Sequence, residues 1–195
     1  MKNTLILLML SALFLMGCSK KNEDSTLVDT NPIEFITTMV ITFVPEGGGD
    51  TIIFSSYDSD GWNGTNSYGE GPNTSASFAP NTSYIASIQL LNENETPVLN
   101  LTQEIINEGV EHQFIYSDAE PTIIIEYLPP FDTNNRPIGV NFKLTTGSMG
   151  CSQLLIKLLH QPPKDQPGAE IGEYTNLEGV ELDDLDVYPS GCYGI

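Results

Sequence analysis

From residue 33 onward the chain runs in short stretches where apolar and polar positions alternate, broken by turn residues. Phe35 to Val44 (FITTMVITFV) is rich in β-branched and aromatic residues and stops at Pro45-Glu46-Gly47-Gly48-Gly49, which predicts a strand followed by a turn. Thr51 to Tyr57, Ser75 to Phe78, Ser83 to Leu91, His112 to Tyr116 and Thr122 to Leu128 carry the same signal. The cleanest alternation is Ile138 to Thr146, where Ile138, Val140, Phe142 and Leu144 fall on one face of an extended chain. Val98 to Ile106 is open between strand and helix, and Gln153 to His160 (QLLIKLLH) fits either a strand or a turn of helix. Asn92-Glu93-Asn94, Pro129-Pro130, Asn134-Asn135 and Pro162-Pro163 punctuate the gaps. Short strands at this spacing, with no long 3.6-residue period between them, predict an all-β fold. The expected architecture is an antiparallel Ig-like β-sandwich of about seven to eight strands, with a barrel as the alternative. The sandwich is assigned to residues 33–165 and an acidic C-terminal segment to 166–195. In that segment Val180, Leu182, Leu185 and Val187 predict a last edge strand, with Asp183-Asp184 bulging or blocking further pairing.

The first residues have a different pattern. Lys2 precedes an apolar run from Leu5 to Met16, about a dozen residues. That suits the hydrophobic core of a signal peptide and falls short of the ~18–20 residues needed to cross a bilayer. The run ends in Leu15-Met16-Gly17-Cys18, which resembles the bacterial lipobox, where the cysteine sulfur is lipidated and the chain is cut before it. Residues 1–17 are then a lipoprotein signal peptide that is removed. Cys18 is the lipidation site, and the polar residues 18–32 form a flexible tether. The alternative is an ordinary signal with an incidental cysteine. Each acyl methylene buried in the bilayer contributes roughly 0.8 kcal/mol, and two or more chains make anchoring stable. Position 19 is Ser rather than Asp, so the expectation is an outer-membrane, lipid-anchored protein. Lys20-Lys21-Asn22-Glu23-Asp24 resembles the Lys-plus-acidic export tags of Bacteroidota lipoproteins, and both the periplasmic and the cell-surface face stay open.

Charge removes one function class. Seven Lys and Arg stand against 26 Asp and Glu, a net charge of −19, and one of the seven, Lys2, leaves with the signal. Nucleic-acid binding draws its affinity from cations on phosphates, so no nucleic-acid partner is expected. The many carboxylates are free to meet cations instead. Asp58, Asp60 and Asn63 in YDSDGWNGTN offer hard oxygens for calcium, though Gly61 comes one place early for an EF-hand loop and Trp62 takes the third acid's place. The alternative is a solvated turn, and the Asp/Asn turn FDTNNRPIG is weighed the same way. His112 and His160 are the only histidines and sit at the ends of predicted strands. If adjacent they offer ligands for zinc, copper or haem; otherwise they are structural. Cys151 and Cys192 are the cysteines left beside Cys18; in an oxidising compartment such a pair suggests a disulfide, and two separate thiols are the alternative because Cys192 lies in a Gly/Pro-rich tail. Asp24-Ser25-Thr26 resembles a short Bacteroidota O-glycosylation acceptor, which puts Ser25 forward as a modification site. No Gly-x-Ser-x-Gly and no phosphate-cradling glycine motif with Lys occurs, and no catalytic set is singled out, so no enzyme is expected.

EFITTMVITFVPEGGG, NTSYIASIQLLNENETP, EGVEHQFIY, RPIGVNFKLTTG and LIKLLHQPPKD occur in an order and spacing that resembles a family of small Bacteroidota lipoproteins of unknown function. The likeness covers roughly Ile33 to Asp165. Members are often labelled as having a type 1 periplasmic binding fold, but this chain lacks the βα alternation of that fold. The resemblance confers no catalytic residues. Its members usually end in a clean alternating strand, where this chain has VELDDLDVYPSGCYGI. The functional expectation is a non-enzymatic binding or accessory module anchored to the outer membrane, partnered by a transporter or another envelope protein. The alternative is a metal or haem carrier using His112 and His160 or the acidic loops. No cofactor is expected, with calcium at the acidic loop left open.

Overall fold

The computed structural model describes residues 34–61, 78–118, 123–177, 181–187 and 190–193. These belong to a compact unit that runs Ile33–Ile195. Ten strands occur among the described residues, eight of them six residues or longer. The first sheet is built from β1 (Thr38–Pro45), β2 (Ile52–Tyr57), β3 (Ser83–Asn92), β6 (Ile123–Leu128) and β7 (Asn141–Thr146), in the order β2-β1-β3-β7-β6. A two-residue strand, β4 (Leu99–Asn100), extends it beside β3. The second sheet centres on β8 (Gly150–His160). β5 (His112–Asp118) lies along one side of β8; β9 (Glu181–Val187) and β10 (Ser190–Tyr193) pair with it as well. Every pairing is antiparallel.

The fold is an antiparallel all-β sandwich, as the alternation predicts. Met39, Ile41 and Phe43 of β1, Tyr84, Ala86, Ile88 and Leu90 of β3, and Phe142 and Leu144 of β7 are buried one residue in two. They share one core with Phe114 of β5 and Leu154, Ile156 and Leu158 of β8. Phe43 sits among Phe54, Phe78, Tyr84 and Phe142, with ring centroids 5.0–6.5 Å apart and the rings edge-on. That geometry suits the aromatic quadrupole and adds to the gain from burial alone.

The ambiguous stretch Val98 to Ile106 divides. β4 takes its start and a short helix, α1 (Thr102–Asn107), its end. The Asn100 side chain accepts a hydrogen bond from the Thr102 backbone N–H at 3.0 Å, which turns the chain out of the strand. Leu101 and Ile105, four residues apart on one face, then enter the core. QLLIKLLH is strand rather than helix, and Leu158, Leu159 and His160 are buried in succession. Lys157 and Leu155 are part-buried on the outer face, and burial on both faces comes only at the end of the strand, from Leu158 to His160. β9 is the last long strand, and its pairing with β8 slips between Ile156↔Val187 and Leu158↔Asp183, so β9 carries the excess residues. The irregularity falls in the stretch that contains Asp184. Phe78 is buried outside any strand, and the rest of Ser75 to Phe78 lies outside the described residues.

Candidate functional site

The β5–β8 register sets His112 directly opposite His160. Partners across an antiparallel pair point to the same face, and this pair ends the inward-facing row that continues through Phe114 and Leu158. The two rings stand 5.1 Å apart by centroid and are tilted by 36°. Glu34 joins them from the segment before β1. Ile36, fully buried, and the Thr37 N–H, bonded to the Leu91 carbonyl at 2.9 Å, fix that segment and hold Glu34 over the end of the sheet. One Glu34 oxygen, Oε2, lies 3.3 Å from His112 Nε2. Among the described residues this is the group of His, Cys, Asp and Glu whose donor atoms converge, all within 4.8 Å of one another. All three residues are buried, His112 completely.

His112 Nδ1 lies 3.2 Å from the Glu108 carbonyl oxygen, at the C-terminal end of α1. A carbonyl only accepts, so Nδ1 carries the proton, and this fixes the ring with Nε2 toward Glu34. Nε2 then faces a second acceptor. With Glu34 ionised, the ring meets both acceptors as an imidazolium or with a cation between Nε2 and the carboxylate. Burial alone would raise the Glu34 pKa, but the hydrogen bond and charge of His112 outweigh it and hold the carboxyl below its ordinary value. Glu34 Oε1 is buried and makes no hydrogen bond among the described residues.

The other residues expected from sequence do not converge there. Asp58 is buried at the end of β2, its N–H bonded to the Thr37 carbonyl at 2.7 Å and its carboxylate accepting from the Asp60 N–H at 3.3 Å. This is a turn held by its first aspartate. Asn63 lies outside the described residues, as do Cys18 and Ser25. In FDTNNRPIG, Asp132 accepts from the backbone N–H groups of Asn134 and Arg136 at 2.8 and 2.9 Å, and its other oxygen faces Lys164 Nζ at 3.3 Å. Lys164 also donates to the carbonyls of Gly109 and Pro137. A protein ammonium therefore stands where the calcium reading of that turn needs an ion. Burial lowers the Lys164 pKa, opposed in part by Asp132. Cys151 and Cys192 are register partners across β8 and β10, which brings together the two positions that sequence alone leaves open.

Two adjoining clefts, of about 340 and 360 Å³, meet around Asn135, Pro137 and Glu170. One is rimmed by Tyr127, Phe131 and Ile171, the other by Arg136, Lys164 and Asp165. Behind them three phenols tie elements together. Tyr116 donates to the Gly139 carbonyl, Tyr127 to the Phe114 carbonyl at 2.7 Å, and Tyr174 to Gln113 Oε1 at 2.5 Å. Gly139 has φ +88°, and a Cβ there would meet Phe114 and Tyr127 at 2.9 Å, so only glycine lets β5 and β6 come this close.

Fold and site together define an antiparallel β-sandwich with a buried His–His–Glu cluster at one end of its inner face. No protein-family model matches the chain, and neither a curated protein nor a solved structure is significantly similar to it.

Proposed function

We propose that this chain is a lipid-anchored, extracytoplasmic protein of the outer membrane that acts as a non-enzymatic binding or accessory module for a transporter or another envelope protein. The observation that carries the reading is Cys18, placed where an apolar run ends and a polar stretch begins. A dozen or so apolar residues are too few to span a bilayer, whereas lipid on that sulfur anchors the rest of the chain. A mostly polar stretch, residues 18–32, then leads to a folded unit that starts at Ile33. The resemblance of the ordered motifs to small Bacteroidota lipoproteins supports the same compartment. A sandwich whose inner faces fill one core offers its loops and surface clefts for binding, and the adjoining recesses around Pro137 are such surfaces.

The test is Cys18→Ser in cells fed labelled palmitate. The wild-type chain is expected to carry label and to fractionate with the outer membrane, and the variant to lose label and leave the membrane fraction. A wild-type chain without label would sink the reading.

A further inference from the structure

We propose that Glu34, His112 and His160 form a binding site for one divalent late first-row transition-metal ion, with zinc the ion that best suits the donors. The inference goes beyond membrane anchoring and does not depend on it.

The donor set is two imidazoles and one carboxylate, which zinc, copper and nickel accept and which calcium and magnesium, taking oxygen, do not. Distances agree. In a tetrahedral shell with Zn–N near 2.0–2.1 Å and Zn–O near 2.0–2.2 Å, neighbouring donors stand about 3.3–3.5 Å apart. Glu34 Oε2 and His112 Nε2 are 3.3 Å apart, and the widest separation among the three donors is within 4.8 Å. Closing the shell needs side-chain movement on the order of 1 Å. The Nδ1–H to carbonyl contact with Glu108 is the outer interaction that aims Nε2 of a ligating histidine. A salt bridge alone accounts for one carboxylate oxygen and leaves Glu34 Oε1 buried without a hydrogen bond among the described residues.

A haem held between the histidines needs a porphyrin-wide slot, and rings 5.1 Å apart by centroid leave none. Three protein donors leave one position of a tetrahedral shell for water. Glu34 is the second residue of the folded unit. The ion fastens the start of the unit to β5 and β8, so metal supply and the stability of the folded unit are linked.

The experiment uses the full chain, stripped with chelator and titrated with Zn²⁺, with Co²⁺ as the coloured probe. One ion per chain is expected, with tetrahedral Co²⁺ bands and a rise in Tm of roughly 5–10 °C at a hundredfold excess over Kd. Glu34→Gln and His160→Gln each keep size and polarity and are expected to weaken Zn²⁺ binding at least tenfold. Asp58→Asn is expected to leave it unchanged. Tighter uptake of Cu²⁺ than of Zn²⁺ supports the site, since affinity rises in that order. If a ligand variant fails to fold, the titration of the wild-type chain decides. Folded wild-type protein that takes up none of Zn²⁺, Co²⁺, Ni²⁺ or Cu²⁺ overturns the proposal and leaves a buried imidazolium–carboxylate pair. Unchanged affinity in folded Glu34→Gln and His160→Gln overturns it too.

Discussion

Lys164 illustrates how single residues hold this protein together. Its side chain is 3% exposed and that of its partner Asp132 fully buried. Between them they join the FDTNNRPIG turn, the end of α1 and the Pro162-Pro163 corner. A buried pair contributes little net stability over an apolar pair, because both charges lose water, but removing one partner strands the other. Lys164→Ala and Asp132→Ala are each expected to cost about 3–5 kcal/mol, and the double variant less than the sum of the two. Urea unfolding of the four proteins measures this, and a Lys164→Ala change within about 1 kcal/mol of wild type would contradict it. The Asp132 turn is legible in the sequence, since an aspartate ahead of two asparagines bonds its own backbone. Its lysine is not, because a lysine after two prolines reads as exposed. Glu34 is hidden for the same kind of reason. It is one of 26 acids, and its partner His112 is 78 residues away, so no local pattern marks it.

At the scale of elements, alternation identifies strands well but not their partners. Strand β7, with Phe142, Leu144 and Thr146 facing in, shows its face in the sequence, and so does β3. α1 does not, because six residues are too few to display a helical period. The pairing of β5 with β8, which brings the histidines together, joins strands separated by two others, and no rule of adjacency predicts it. The pairing of β10 with β8 has a chemical consequence. Its register places Cys192 opposite Cys151, and opposed positions in an antiparallel pair have Cβ atoms about 4.5–5.5 Å apart, close to the reach of a disulfide. A bridge there closes a loop of about 40 residues and stabilises by roughly 4 kcal/mol on the chain-entropy argument. Protein made in an oxidising compartment is expected to show the Cys151–Cys192 linked peptide by mass spectrometry without reductant, and to lose about 10 °C or more of Tm when reduced. Two free thiols in the oxidised protein would refute this.

For the whole molecule, the tyrosines that cross between the sheets set its response to alkali. Tyr116 of the second sheet bonds the Gly139 carbonyl just before β7, and Tyr127 of the first bonds the Phe114 carbonyl of β5. Burial raises the pKa of both well above that of a free phenol, and it pushes Tyr174 up to about 12. The folded chain therefore keeps protons that the unfolded chain gives up first. Their contribution is complete below pH ~10 and is lost as pH rises from there towards the raised values, by up to about 1.4 kcal/mol per pH unit for each of Tyr116 and Tyr127. Lys164 works the other way: its lowered pKa makes folding easier as pH climbs towards 10.5, but it is one group against two phenols. A net charge of −19 adds self-repulsion that phenolates would deepen, and salt relieves that part. Salt does not relieve the burial of a phenolate. Urea midpoints are therefore expected to fall steeply above pH 10 in low and high salt alike, with Tyr127→Phe flattening the slope by about one proton. A fall that vanishes in high salt would assign the alkaline limit to net charge and not to the phenols that hold the two sheets together.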